Sequence, residues 1–141
     1  MIPLPTPNGR RVSQRSTTVD QTTTAPDVLT DITAIATISQ NARNFETDFD
    51  QSATGGLRAS AANVERVRGL FASIQSNCNH AGSAANASLD SERVRYLIRI
   101  AYMFGCLSEI FKGMRRQGWV DRSIASVRVV ENAVTRSNRP V

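Results

Sequence analysis

Val28, Ile32, Ile35, Ile38, Ala42, Phe45 and Phe49 follow one another at steps of 4, 3, 3, 4, 3 and 4. That spacing lays seven apolar side chains along one stripe of an α-helix, whereas a half-buried strand needs a step of two. The same steps return at Leu57, Ala61, Val64, Val67, Phe71, Ile74 and Cys78. Outside the two stripes the segments share little, so they read as two helices of matched length rather than a duplication. Thr24, Pro26 and Asp27 form a helix start: a capping hydroxyl, a proline for the first turn and an acid for the positive end of the dipole. Gly55 and Gly56 in "SATGG" break the pattern, and a connection that short favours an antiparallel hairpin.

The small polar residues of "NCNHAGSAANAS" read as a loop, after which Ser88 or Asp90 can cap a third helix. In "YLIRIAYMFGCLSEIF", from Tyr96 to Phe111, apolar residues fall on nearly every side, which places this helix in the middle of the fold. Arg99 and Glu109 interrupt it, so it is a poor membrane span. Ala101 and Gly105, four apart, offer a place where another backbone can come close, with Phe104, Phe111 and Trp119 as the large groups of the same packing or interface region. "MRRQGW" reads as a helix end, with Gly118 in the left-handed position, Arg115 and Arg116 at the negative end of the dipole, and Trp119 against Met114. Asp121 then caps a fourth helix with a stripe at Val120, Ile124, Val127, Val130 and Val134. Its β-branched residues have weak helical propensity, so it should hold only when packed.

The sequence thus predicts an all-α antiparallel bundle of about four helices, roughly 25–50, 57–79, 89–117 and 121–136, with an extended irregular arm at 1–24 and a basic tail at 137–141. The arm, beginning "MIPLPTP", is rich in Thr and Pro and has no aromatic residue, so it lacks the apolar surface to offset its own ordering. Its prolines favour an extended backbone, and Ile2, Leu4, Arg10, Arg11 and Arg15 are its candidate contacts with a neighbouring chain.

Charge is unevenly spread. The net charge is +5, with residues 26–56 at −4 and residues 89–141 at +5. All but one of the basic residues are arginines, the exception being Lys112, and the planar guanidinium suits carboxylates, phosphates and interfaces. Arg115, Arg116, Arg122, Arg136 and Arg139 are the candidate phosphate contacts. Two cysteines, Cys78 and Cys106, make no disulfide framework and fit a reducing compartment. No charged segment followed by an apolar run marks a secretory signal.

Catalytic patterns are not apparent. His80 with Cys78 and Cys106 falls short of a four-ligand zinc set, and a Cys78–His80 nucleophile pair has no third group. Glu46, Asp48 and Asp50 read as an exposed acidic helix end, and no phosphate-binding glycine loop or nucleophile elbow occurs. The expectation is a non-enzyme with no metal, cofactor or small-molecule substrate. The sequence favours a structural subunit of a multi-chain assembly, such as a virus or phage particle, located in the cytoplasm or within that particle, with the arm lying on another chain. One alternative is a basic protein that binds nucleic acid through phosphates; another is a membrane-active helix spanning residues 96–111.

Overall fold

The computed structural model describes residues 24–54, 59–86 and 90–137. The arm with Ile2, Leu4, Arg10, Arg11 and Arg15, the Gly55–Gly56 connection, Leu57, Ser88, Arg139 and the final tail residues lie outside the described residues. The fold is all-α: α1 (Thr24–Thr54), α2 (Ala61–Asn86), α3 (Asp90–Gly113) and α4 (Gln117–Ser137). Residues 24–33 are the first turns of α1, and the unit that holds the bundle begins at Ala34.

Each neighbouring pair within the bundle runs antiparallel, because residue numbers rise along one helix as they fall along the next. Ser39 meets Gln75, Phe45 meets Phe71 and Asp50 meets Arg68 between α1 and α2. Arg93 meets Ser137 and Phe111 meets Trp119 between α3 and α4. Asp48 meets Arg122 between α1 and α4, which closes the ring. Across its diagonal, Phe45 of α1 stacks on Phe111 of α3 with ring centroids 5.5 Å apart.

The inner parts of the first two stripes form the core, while Ile32 and Val64 are only half-buried and Ala61 is exposed. Ile35, Ile38, Ala42, Phe45 and Phe49 are buried, as are Val67, Phe71, Ile74 and Cys78. Removing a side chain of this size from water contributes about 1.5–3 kcal/mol. One polar link fixes the register of α1 against α2: Ser39 Oγ donates to Gln75 Oε1 at 2.8 Å, and Gln75 Nε2 donates to the Ser39 carbonyl at 2.9 Å. Ser60 caps α2, its Oγ accepting from the Asn63 amide at 3.1 Å, so the helix starts four residues later than its stripe suggests.

Other expectations are corrected. The segment after Cys78, read as a loop, continues α2 to Asn86, because Ala81 and Ala84 extend the buried stripe by small side chains that carry little hydropathic signal. α3 ends at Gly113 rather than near 117, and the left-handed residue is Arg115 (φ 59°), not Gly118, which lies inside α4. The Arg115 amide donates to the Lys112 carbonyl and the Arg116 amide to the Phe111 carbonyl, the paired bonds of a Schellman ending. α4 begins at Gln117, with the Trp119 and Val120 amides both donating to the Arg116 carbonyl, so Asp121 is not its cap. The buried face of α4 is also rotated: Val120, Ser123, Val130 and Ala133 point inward, while Ile124 is exposed. Ser123 is tolerated inside because its Oγ donates to the Trp119 carbonyl at 2.8 Å.

Candidate functional site

The candidate interface residues divide sharply. Phe104 and Phe111 are buried in the core. Trp119 packs on Phe49 and Phe111, at 5.6 and 5.1 Å, with the Arg116 guanidinium 3.9 Å above its ring. Ala101 and Gly105 are half-buried, and a Cβ built on Gly105 meets nothing within 4 Å, so among the described residues no other helix's backbone comes close there.

Two of the candidate phosphate contacts, Arg116 and Arg122, are engaged within the chain. Arg116 covers Trp119. Arg122 donates to Asp48 Oδ2 at 2.7 Å and lies 4.5 Å over the Phe45 ring, tying α4 to α1. Arg136 has its Nε buried without a hydrogen-bond partner. Arg115 is exposed but serves the α3–α4 turn. The acidic end of α1 is likewise committed, with Asp50 bonded to Arg68 Nε at 3.0 Å and Asp48 to Arg122. Partial burial, then the nearby Asp50 charge, raises the Glu46 pKa, against the opposing pull of Arg68.

Cys78 and His80 lie on helix α2, not in a loop. Burial pushes the Cys78 thiol up to about 11, so it stays protonated and inert, while His80 is exposed. Among the described residues no three His, Cys, Asp or Glu side chains are arranged to hold a metal ion. No described helix is long and apolar enough to cross a membrane: Ile100, Met103, Phe104, Leu107 and Phe111 turn inward to the core.

Three surface features remain. A groove of about 800 Å³ runs between α2 and α3, with Gly69, Leu70 and Ser73 on one wall and Cys106, Ile110 and Gly113 on the other. A Cβ built on Gly69 or Gly113 meets nothing within 4 Å. Arg66 and Glu109 stand at its sides with opposite charges. A smaller hollow of about 220 Å³ between α1 and α4, floored by Phe104 and edged by Asn41 and Asn44, falls below the roughly 300–1,000 Å³ usual for small-molecule sites.

The third feature is the outer stripe of α3. Tyr102 is 73% exposed and Ile98 53%, beside the exposed Arg95 and Arg99. Both guanidiniums lie against the Tyr96 ring, at 5.7 and 5.5 Å, and His80 of α2 stacks on that ring at 5.1 Å. Arg95 pairs with Glu92 at 3.4 Å, whereas no described carboxylate lies within ion-pair distance of Arg99. The neighbouring Cys106 thiol, foremost among its causes, raises the Tyr102 pKa. The sequence held a signal for this stripe: Arg95, Arg99, Tyr102, Cys106, Glu109 and Gly113 repeat the 4 and 3 steps of the core stripes on the opposite side of the helix.

No family model matches the chain. No curated protein matches it, and neither does any solved structure.

Proposed function

We propose that the chain is a non-enzymatic structural subunit of a larger multi-chain assembly, of the kind that builds virus or phage particles, and that the α2–α3 groove seats a segment of a neighbouring chain. The supporting observation is the groove itself. Glycines on helix surfaces cost about 1 kcal/mol each relative to alanine, yet Gly69 and Gly113 face space that none of the described residues fills. Half-buried Leu70 and Ile110 give an incoming segment apolar surface, and the opposed Arg66 and Glu109 give it polar edges.

The test exploits the open glycines. Gly69→Leu with Gly113→Leu fills the groove without a clash inside the chain, so the isolated fold should be unchanged or slightly more stable by thermal melting. The same variant should fail to enter the assembly, read by light scattering and by incorporation alongside wild-type chain. Cys106, a groove residue, should react with a thiol reagent in the free chain and be protected in the assembly. Normal incorporation with an unprotected Cys106 would overturn this reading.

A further inference from the structure

The α3 outer stripe differs from the groove in chemistry. Asp48 and Asp50 of the acidic α1 end are already paired with Arg122 and Arg68. Arg99 lies over the Tyr96 ring with no described carboxylate within ion-pair distance, and Arg95 pairs with a half-exposed Glu92 at a surface distance that contributes little. Four planar groups (His80, Tyr96 and the two guanidiniums) hold one another in place, so a ligand meets cations whose rotamers are already restricted. One turn further on, Tyr102 is 73% exposed, and no ring among the described residues covers its face.

We propose that this stripe, from Arg95 to Tyr102 with His80 beside it, binds single-stranded nucleic acid, with phosphates on Arg95 and Arg99 and a base stacked on Tyr102. Guanidinium forks match phosphate oxygens in pairs, and an exposed ring accepts the face of any base. Seven residues of helix rise about 10 Å, which suits two or three nucleotides of one strand. A duplex keeps its base faces stacked inside, so Tyr102 selects the open strand; a carboxylate-rich protein surface has no base face to offer the ring. Glu92 is the one acid at the site and limits the affinity. The inference stands apart from the α2–α3 groove and does not require it.

The experiment is fluorescence anisotropy of the full chain with labelled oligothymidylate of about ten nucleotides, over about 50 to 200 mM salt. Binding should weaken with salt. Arg95→Ala with Arg99→Ala should weaken it about ten-fold or more and reduce the salt slope by about 1.4, the loss of two phosphate contacts. Tyr102→Ala should weaken it about ten-fold with the slope unchanged, and Tyr102→Trp should restore it. Tyr102→Leu, bulky but without a π face, carries the same test if the alanine variant loses helicity by circular dichroism. Arg128→Ala, an exposed arginine on α4, should change affinity by less than about two-fold. Lack of binding at low salt, indifference to Tyr102, or duplex of equal length binding as tightly as the single strand would each refute the proposal. Displacement of the strand by polyglutamate at matching concentration would refute it as well, and would assign the stripe to an acidic protein partner.

Discussion

The two ends of the bundle are filled by different means. Around the α3–α4 turn, five rings close the core: Phe45, Phe49, Phe71, Phe111 and Trp119 touch in a chain of contacts between 5.1 and 6.0 Å. At the other end the buried groups are aliphatic or small, namely Ile35, Ile38, Cys78, Ala81, Ala84, Leu97 and Ile100, and a buried Arg93 donates to Ser137 there. Rings bring large buried area from few residues and fit with their edges and faces offset. Alanines bring little area, so their stretch of α2 must gain its stability from helical propensity and close fit. One fold therefore combines a volume-driven half with a fit-driven half.

The largest effect should come from the ring-filled end. Phe111→Ala removes the group that touches Phe45, Phe49 and Trp119, and should cost about 3–5 kcal/mol by urea denaturation. Ile100→Val in the aliphatic half should cost only about 0.5–1.5 kcal/mol, and equal losses at the two sites would erase the contrast.

Alkali should strike the other half. The folded Cys78 thiol titrates near 11, above its unfolded value of 9.0, so its protonated form is favoured by folding. Its contribution is complete below about pH 9 and is lost as pH rises toward about 11, because the unfolded chain then releases a proton that the fold retains. Wild type should lose roughly 2–3 kcal/mol across that window relative to Cys78→Ala; parallel stability curves for the two proteins would contradict this.

Overpacking sharpens the distinction in fit. Ala81→Leu adds volume where none is free and should cost about 1–3 kcal/mol, with melting temperature as the readout. Smallest in size and opposite in sign is Arg115→Gly, which relieves a left-handed residue with a side chain. It should stabilise by about 1 kcal/mol, and a loss would mean that the Arg115 side chain contributes more to the turn than its backbone strain costs.

The ring-filled end was also the more legible one. Phe45, Phe49 and Phe71 announce themselves by size and step, and the two long stripes located α1 and α2 before any coordinates. The continuation of α2 through Ala81 and Ala84 was hidden, because alanine, glycine, serine and asparagine read equally as loop or as a tightly packed helix. In α4 the large residues misled: Ile124 carries the hydropathic signal and is exposed, while Ser123 is buried on a bond to the Trp119 carbonyl that hydropathy does not register. At the candidate sites, the residue types were in view and their engagement was not. Nothing in the order of residues says that Arg122 is held by Asp48, seventy-four positions away, whereas Arg99 lies over Tyr96 with no described carboxylate within ion-pair distance.

By itself the sequence determined the class of fold and the inner stripes of α1 and α2, because helical periodicity is a local property of side-chain spacing; α3, read as central, instead keeps an exposed outer face at Ile98 and Tyr102. Only the tertiary structure decided which arginines are used up in ion pairs and ring contacts, that the left-handed turn falls on Arg115, and that a groove and a cationic stripe remain open on α3. Those outcomes depend on groups far apart in the chain meeting at distances of a few ångströms, and spacing along one helix carries no information about its neighbours.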